Sequence, residues 1–350
     1  MTIKGKPTSL DIAHLAGVSQ PTVSRALRGH PSVSRDTRER ILAIARELNY
    51  KVDKNASNLR CQQSGTLALL FFEEPADDAI NPFFLSMLGA ITRACALRGY
   101  DLLISFQQLS SDWHADYEDS HKADGLLLLG YGDYLQARDR LQQLVEQGTR
   151  FVRWGAALPG QPGVSIGSDN FQGGRAMAEH LLAQGRRRIA FLGDASARYP
   201  EFQERHRGLA AALTEAGLPT GPALQVDAVT SEQSGFEAAR TLLARGTPFD
   251  AIFAGSDLIA IGAMKALHEH GLRVPDDVAV AGFDDIPLAA FVTPGLSTVQ
   301  QDTRQAGALL VDTLIAQIEG APVESRTIPG RLVLRGSTGA LSPAQPRASR

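Results

Sequence analysis

A short segment near the N-terminus carries polar side chains that can form hydrogen bonds with DNA. Arg25 can donate two hydrogen bonds to one guanine, and Gln20 can reach the edge of a base. The hydroxyl groups of Thr22 and Ser24 can bind phosphate oxygens. If the segment is helical, its outward residues are Gln20, Pro21, Thr22, Ser24 and Arg25, and its inward residues are Val23, Ala26 and Leu27. The spacing therefore predicts a helix whose polar face suits the major groove.

Three short helices in the first fifty residues would position this face. Thr8 begins a capping-box pattern, and Gly17 ends the first helix after about two turns. Ser19 can cap the second helix, and Ser34 can cap a third. A helix, a glycine turn and another helix within about twenty residues are typical of a helix-turn-helix. The alternative is a small three-helix bundle that binds protein.

The charge of the chain is divided unevenly. Residues 1–60 contain eleven lysines and arginines against five acidic residues, whereas the remaining 290 contain 24 against 33. A basic module on an acidic body indicates that the module binds a polyanion and that the body does not. The alternative is a basic N-terminus that is simply solvated.

From Leu67 onward, apolar runs of four to six residues alternate with amphipathic segments. The predicted strands are Leu67–Phe72, Leu102–Ser105, Leu126–Leu129, Phe151–Trp154, Ile189–Leu192, Ala251–Phe253 and Val278–Ala281, and the predicted helices include Phe83–Leu97, Ala176–Ala183, Glu204–Ala216, Phe236–Ala244 and Leu258–His270. This alternation predicts an α/β body with helices on both faces of parallel sheets. So many strands favour two sheets. Ligands of such sheets bind at the carboxyl ends of the strands, so a cleft between two lobes is expected.

Several classes of protein do not fit the sequence. No run of about eighteen apolar residues could span a membrane, and the N-terminus lacks the apolar core of a secretory signal. The two cysteines, Cys61 and Cys95, provide neither a disulfide framework nor zinc-ligand spacing. No phosphate-binding glycine loop, nucleophile elbow or metal-binding cluster stands out. We therefore expect a cytoplasmic protein that is not an enzyme and uses no cofactor or metal.

The order of residues from Leu10 to Tyr50 follows a known pattern. The matching segments are Leu10-Asp11-Ile12-Ala13, Gly17-Val18-Ser19, Thr22-Val23-Ser24-Arg25-Ala26-Leu27, Val33-Ser34, Thr37-Arg38, Ile41 and Leu48-Asn49-Tyr50. They resemble the headpiece of the lactose-repressor/galactose-repressor (LacI) family of bacterial transcription regulators. The resemblance implies that Gln20, Pro21 and Arg25 face base edges. It also implies that Thr8, Ser19 and Thr22 approach phosphates.

The residues after Tyr50 resemble the hinge of that family, which becomes a short helix only on operator DNA. Ala56 and Leu59 match the family's alanine and the leucine that wedges into the minor groove. Asp53 and Ser57 stand where the family commonly has asparagine and arginine. Because an aspartate near phosphates is unfavourable, hinge affinity or operator preference is expected to differ. Without DNA, the segment is expected to be a flexible linker.

The body also resembles this family, to about residue 340, and the resemblance implies the fold of periplasmic sugar-binding proteins. The matching segments are Asn81-Pro82-Phe83-Phe84, Asp169-Asn170, Gly173-Gly174, Arg205 with Gly208, Gly255-Ser256-Asp257, residues 273–278 and Gly282-Phe283-Asp284-Asp285. Sugar hydroxyls need bidentate polar partners, and the apolar faces of sugars pack on aromatic rings. The candidate ligand-binding residues are Phe83, Phe84, Tyr131, Trp154, Asp169, Arg205, Ser256, Asp257 and Asp284. Ser256 stands where the family usually has asparagine. Phe84 could equally belong to the core, and Asp257 could mainly cap its helix.

The sequence predicts five segments in the chain. They are a helix-turn-helix headpiece (1–51), a hinge (52–63), sensor lobe 1 (64–163 and 293–323), sensor lobe 2 (164–292 and 324–340) and a flexible tail (341–350). The tail lacks the leucine heptads of a tetramerising coiled coil, so a homodimer is expected.

These features and the resemblance predict a repressor that binds double-stranded operator DNA and responds to a small effector, a sugar in the first instance. Release of DNA by an inducer is favoured over corepression, and a purine-type corepressor is the second candidate within the family. Two rival functions are a sugar receptor that does not bind DNA and an enzyme on a doubly wound fold. As a DNA-binding protein it is expected to be associated with the nucleoid.

Overall fold

The computed structural model describes residues 7–27, 29–50, 64–72, 80–130 and 132–339. The predicted hinge (52–63) with Ala56 and Leu59, the candidate ligand residue Tyr131 and the predicted tail (341–350) lie outside the described residues. The chain divides into two compact units between Ser64 and Gly65, and each is described by itself.

Three helices lie within the described residues of the N-terminal unit. They are α1 (Ser9–Ala16), α2 (Gln20–Leu27) and α3 (Arg35–Glu47). Thr8 caps α1 through a reciprocal pair of hydrogen bonds with Asp11, and Gly17 ends the helix in the left-handed conformation. Ile12, Val23 and Ile41, one from each helix, are fully buried in a shared core. The predicted helix-turn-helix is therefore confirmed.

The described part of the C-terminal unit contains twelve strands in two six-stranded sheets. The strands are β1 (Thr66–Phe71), β2 (Asp101–Phe106), β3 (Gly125–Leu129), β4 (Phe151–Trp154), β5 (Val164–Ser168), β6 (Ile189–Leu192), β7 (Gln225–Val226), β8 (Ala251–Ala254), β9 (Ala279–Asp284), β10 (Ser297–Gln300), β11 (Arg326–Ile328) and β12 (Arg331–Val333). The first sheet has the order β11-β5-β4-β3-β1-β2, and the second has the order β12-β10-β9-β8-β6-β7. All pairs are parallel except β10 with β12. The predicted pair of parallel sheets is confirmed.

Seven longer helices, counted over the same described residues, cover these sheets. They are α4 (Pro82–Arg98), α5 (Tyr134–Glu146), α6 (Asn170–Ala183), α7 (Pro200–Glu215), α8 (Glu232–Ala244), α9 (Asp257–Glu269) and α10 (Thr303–Ile318). Helices α4, α5 and α10 pack on the first sheet and form the first lobe with it. Helices α6 to α9 pack with the second sheet in the second lobe, where α6 packs along α7 and α8 along α9.

Three strands lie in a different sheet from the one that the sequence predicts. The predicted lobe boundaries place β5 and β11 in the second lobe, but β5 pairs with β4 and β11 pairs with β5 in the first sheet. They also place β10 in the first lobe, whereas it pairs with β9 in the second sheet. The lobe boundaries are therefore wrong at these strands. The physical reason is that the chain crosses from one lobe to the other after each of these three strands. A buried strand has the same apolar pattern in either sheet, so its sequence does not show on which side of a crossing it lies.

No helix in the described part of the chain is long and apolar enough to cross a membrane.

Candidate DNA-binding and effector sites

Of the predicted DNA-binding residues that the structure describes, those from Ser19 to Arg25 lie on or next to α2, and Thr8 caps α1. Thr8, Ser19, Pro21 and Arg25 are exposed, and Gln20, Thr22 and Ser24 are half-buried. The inward residues Val23 and Ala26 are buried, as the spacing predicts. One continuous helix thus presents Gln20, Pro21, Ser24 and Arg25 outside the headpiece core.

Hydrogen bonds within the headpiece hold several of these side chains. The Gln20 Nε2 donates to Ser9 Oγ at 2.9 Å, and the Arg25 Nε donates to the Pro21 carbonyl at 3.3 Å. The hydroxyls of Ser19 and Thr22 lie 2.8 Å apart. The Thr8 hydroxyl is engaged in the cap, where it donates to Asp11 Oδ2 at 2.6 Å. These hydrogen bonds with Thr8 hold the pKa of Asp11 below its usual value.

Arg205 lies at the centre of the polar groups in the second lobe and is only 5% exposed. Its Nε donates to Asn170 Oδ1 at 2.8 Å, and its Nη1 donates to the carbonyl oxygen of Gly255. Its guanidinium carbon lies 3.7 Å from the centroid of the Phe283 ring. These contacts come from the start of α6 and from the carboxyl ends of β8 and β9. They fix the guanidinium where ligands of parallel sheets bind.

Asp284 ends β9 and lies opposite Arg205. Its Oδ1 is 3.9 Å from Arg205 Nη1 and accepts a hydrogen bond of 2.6 Å from Gln301 Nε2. Gln301 in turn accepts a hydrogen bond from the hydroxyl of Ser168, the last residue of β5 in the first lobe. Burial raises the pKa of Asp284 to about 6, although Arg205 and Gln301 act to lower it. A buried arginine–carboxylate pair is therefore linked to both lobes.

Asp257 lies deeper than a ligand-facing position and is fully buried. Its Oδ1 accepts from the Thr298 hydroxyl at 2.5 Å, and its Oδ2 accepts from the Ile286 N–H at 2.8 Å. Burial and the charge of Asp284 hold its pKa well above the usual value. Ser256, not Asp257, caps α9, because its hydroxyl accepts from the Ile259 N–H at 3.4 Å. Asp257 thus joins α9 to the segments after β9 and at β10.

Asp169 caps α6 directly after β5. It is half-buried, and its Oδ1 accepts from the Gln172 N–H at 3.0 Å. The neighbouring Asn170 is buried and is the residue that contacts Arg205. The structure therefore brings Arg205, Asp284 and Ser256 to the carboxyl ends of one sheet, with Asp169 at the crossing from the other.

Three of the predicted aromatic residues, Phe83, Phe84 and Trp154, cluster in the first lobe. The Phe83 ring lies 5.5 Å from Phe84 and 5.8 Å from Trp154, measured between centroids. Phe83 and Trp154 are buried in the core, whereas Phe84 is half-buried. Phe84 is thus the one of these three rings with surface left for a ligand.

Two further hydrogen bonds join the lobes near the strand ends. The Ala156 N–H, just after β4, donates to Glu201 Oε1 at 2.8 Å, and the Tyr134 N–H donates to the Arg198 carbonyl at 2.8 Å. Glu201 lies one helical turn before Arg205 on α7, so the two side chains share a face. The lobes therefore meet beside the arginine–carboxylate pair.

Sequence reasoning missed Asn170, Gln301 and Glu201 as site residues. Asn170 follows Asp169 at the end of a strand, and this position could have indicated it. No local signal points to Gln301 or Glu201, because their partners are distant in the sequence. Among the described residues, no group of three histidine, cysteine or acidic side chains could hold a metal ion.

The fold and these sites define a DNA-binding regulator with a periplasmic-binding-protein-like sensor. The family model of bacterial regulatory proteins of the lacI family matches residues 8–53, and that of the periplasmic binding protein-like domain matches residues 178–338. The chain is 32% identical to the ribose operon repressor of Escherichia coli strain K12 over 89% of this chain and 93% of the relative. It is also 32% identical to the transcriptional regulator CelR of Thermobifida fusca, over 95% and 97%. The chain belongs to the lacI family.

Solved structures agree with this assignment. A CelR–cellobiose complex has a TM-score of 0.70 and 30% identity, over 95% of this chain and 99% of the other. A lac repressor dimer bound to operator and an anti-inducer has a TM-score of 0.76 and 27% identity, over 96% and 100%. The predicted family and fold class are confirmed. Members of this family are transcription regulators and not enzymes, so the enzyme hypothesis is wrong, and the headpiece match argues against a receptor without DNA function.

Proposed function

We propose that this chain is a homodimeric repressor whose affinity for operator DNA changes when a small sugar binds between the two lobes. The observation that carries the proposal is the buried Arg205–Asp284 pair, at the carboxyl ends of the second sheet, in a chain that also has a helix-turn-helix headpiece. The pair is held in place by Asn170, Gly255 and Gln301 before any ligand arrives.

The chemistry of the pair suits a polyhydroxylated ligand. A guanidinium donates and a carboxylate accepts, so vicinal hydroxyls can bind both at once. The half-buried Phe84 ring would pack against an apolar face of the sugar. Two relatives support a sugar: one is a ribose operon repressor, and the other is a regulator solved with cellobiose.

The proposed site residues follow from exposure and position. We assign Phe84, Asp169, Arg205, Ser256 and Asp284 to direct effector contact, with Phe83, Trp154 and Asp257 supporting them from the core. For DNA we retain Thr8, Ser19, Gln20, Pro21, Thr22, Ser24 and Arg25 in the headpiece (1–51), together with the hinge (52–63) residues Ala56 and Leu59. Tyr131 stays a predicted effector contact.

Exposed apolar side chains support the homodimer. Leu97 on α4 and Leu103 and Ile104 on β2 are exposed, and β2 is an edge strand of the first sheet. An exposed apolar edge strand is a surface that proteins ordinarily cover. The family also contains a lac repressor that was solved as a dimer on its operator. Two headpieces in a dimer would read a pseudo-palindromic operator.

The effector can act only through different affinities for two arrangements of the lobes. The bonds from Ala156 to Glu201 and from Tyr134 to Arg198 exist only when the lobes meet. A sugar that contacts both lobes would favour this arrangement. We propose that its binding lowers operator affinity, so that the sugar is an inducer. As a bacterial DNA-binding regulator, the protein would work in the cytoplasm in association with the nucleoid.

Isothermal titration calorimetry of the full-length protein with ribose, cellobiose, other mono- and disaccharides, hypoxanthine and guanine tests the effector proposal. One sugar should bind, and Arg205→Lys should weaken it about tenfold or more, because lysine cannot reproduce the planar fork. Arg207→Lys is the matched control: Arg207 lies on the same helix, but it is exposed and pairs with Glu204. If a purine binds and no sugar does, the effector is a purine-type corepressor and the sugar proposal is wrong. Sugar binding that Arg205→Lys leaves unchanged would contradict the assigned site.

A further inference from the structure

One side chain of the DNA-reading helix is attached to the other helix of the motif. Gln20 is the first residue of α2, and its Nε2 donates to the hydroxyl of Ser9, the first residue of α1, at 2.9 Å. Both residues are half-buried. The bond joins residues eleven positions apart, so it depends on the packing of the two helices and not on local sequence.

The position of the Ser9 hydroxyl is well fixed. Ser9 directly follows the capping residue Thr8, whose backbone N–H donates to Asp11 Oδ2 at 2.7 Å. Ile12 on α1 and Val23 on α2 are both fully buried in the headpiece core. The cap and the core together hold the start of α1 against the start of α2. The serine hydroxyl is therefore a rigid anchor for a flexible side chain.

The carboxamide of glutamine needs such an anchor to read a base. Its terminal torsion has two preferred orientations about 180° apart, and they exchange the donor and the acceptor. A bidentate contact to adenine requires the oxygen to accept from N6 and an N–H to donate to N7. The bond to Ser9 uses one N–H of Gln20 and leaves the other N–H and Oε1 available. It thereby holds the end of the side chain in place before DNA binds, with Nε2 facing the Ser9 hydroxyl.

The neighbouring DNA-facing side chains are held in other ways. Arg25 is bonded to the Pro21 carbonyl within α2, and Ser19 to Thr22 across the first turn. Both contacts are local to the helix. The Gln20 bond differs from them because it reaches across the motif to α1.

We propose that Ser9 is a positioning residue for operator recognition, which orients the Gln20 carboxamide for bidentate contact with one base. The proposal rests on the proposed function, in which α2 reads operator DNA. Ser9 itself need not touch the DNA. Its effect is on the discrimination between bases and not on the general attraction to phosphates, which depends on the positive charge of the headpiece.

The test uses the full-length protein and the duplex that it binds best from a randomised library. Fluorescence anisotropy would measure Ser9→Ala, Gln20→Ala and the double variant on this duplex and on its single-base-pair substitutions. Ser9→Ala should lower the affinity for the best duplex about threefold to tenfold, the range expected when one long side chain must be ordered on binding. It should also flatten base preference at the same position as Gln20→Ala. The double variant should be no worse than Gln20→Ala alone.

Four controls separate positioning from other roles. Ser9→Thr keeps a hydroxyl and should restore base preference. Ser32→Ala removes an exposed headpiece hydroxyl that bonds His30 and should change nothing. Affinity for sheared heterologous DNA and the thermal unfolding of the headpiece should be the same in wild type and Ser9→Ala. If Ser9→Ala lowers the affinity for every duplex equally, Ser9 contacts phosphate. If the losses of binding free energy in the double variant add up, Ser9 and Gln20 act separately. Either result would overturn the proposal.

A failure of the proposed function gives a different result. In that case the wild type itself would show no preference among duplexes, and Gln20→Ala would have no effect. If the wild type is selective, Gln20→Ala loses selectivity and Ser9→Ala does not, then the positioning role alone is wrong.

Discussion

The effector site depends on a charged pair that the protein buries before any ligand is bound. Asp284 is 7% exposed, and Arg205 is 5% exposed. Asn170, the Gly255 carbonyl and Gln301 supply the remaining hydrogen bonds, which offset part of the cost of removing two charges from water. This pre-organisation favours binding, but it should lower the free energy of unfolding by a measurable amount.

A comparison of the wild type with Asp284→Asn should show this cost as a difference in how stability depends on pH. Asp284 has a raised pKa of about 6 in the folded state, against 3.8 for an ordinary aspartate, because it is buried. The folded state therefore binds more protons between these values, and the contribution of Asp284 to stability is present at low pH and lost as pH rises through about 6. Relative to Asp284→Asn, the wild type should lose stability between about pH 4 and 7. The charge of Asp284 also raises the pKa of Asp257, which adds to the same trend.

Chemical denaturation of both proteins at several pH values measures this difference. Comparing the two proteins cancels the opposite trend from surface carboxylates such as Asp11 and Asp277, whose pKa values are lowered by hydrogen bonds. A stability difference that is constant with pH, or that grows in favour of the wild type as pH rises, would contradict a raised pKa at Asp284.

Individual site residues were predictable where chain position gave a signal. Arg205 and Asp284 follow family positions, and Asp284 ends a strand whose carboxyl end faces the cleft. Gln301 was not predictable, because only the three-dimensional crossing of the chain after β10 brings it to Asp284. Exposure was also not predictable from residue type. Asp257 is as polar as Asp284, yet its hydrogen bonds hold its side chain in the core.

At the scale of elements, two glycines set the distance between α6 and α7. A Cβ on Gly208 would lie 2.1 Å from the Phe171 carbonyl oxygen, and one on Gly174 would lie 2.2 Å from the Arg205 carbonyl oxygen. Only glycine permits this approach. The close crossing is what lets Asn170 at the start of α6 reach the Arg205 side chain on α7.

Gly208→Ala should therefore weaken both folding and effector binding. The added methyl group forces the helices apart, and overpacking of this kind costs about 1–3 kcal/mol of unfolding free energy. Effector affinity should fall as well, because Asn170 no longer holds Arg205. Gly221→Ala is the control, since nothing lies within 4 Å of its added Cβ and its backbone is extended. Thermal unfolding and calorimetry of both variants check this; an unchanged effector affinity in Gly208→Ala would show that the crossing does not set the site.

The elements themselves were largely predictable, but their arrangement was less so. Apolar periodicity predicts β6 with its observed bounds and α9 to within one residue at each end, because both bury one strongly apolar side. It missed α5, whose buried positions are only Tyr134, Leu141 and Leu144 in an otherwise polar helix. The sheet membership of β5, β10 and β11 depends on crossings between lobes, which leave no mark in a strand's own residues.

At the scale of the whole molecule, dimerisation should depend on the exposed apolar side of the first lobe. Ile104→Asp on β2 places a charge on an edge strand where Ile104 is 48% exposed. If this strand is covered by a second copy, the charge would be desolvated and the protein should become monomeric at micromolar concentration. Val145→Asp on α5, where the valine is 44% exposed, is the matched control and should stay dimeric. Sedimentation velocity separates the two outcomes, and a dimeric Ile104→Asp protein would place the interface elsewhere.

The charge division links the two units of the chain to different partners. The basic residues 1–60 would attract DNA, and the acidic remainder would not. Because an acidic sensor repels DNA, only the headpieces bind the operator. A change in the sensor can then release the operator, since the sensor has no DNA contacts of its own that would hold it. This division was readable from the sequence alone, because it depends only on composition.

The most direct test of the central claim is the affinity of the full-length protein for its own upstream DNA, measured by fluorescence anisotropy with and without the sugar that calorimetry identifies. Binding should be selective for sequence and sensitive to salt, and the sugar should weaken it about tenfold or more, within the usual range of allosteric coupling. Arg205→Lys should keep the selective binding and lose the response. Selective binding that the bound sugar leaves unchanged would contradict the claim that the cleft controls the headpieces.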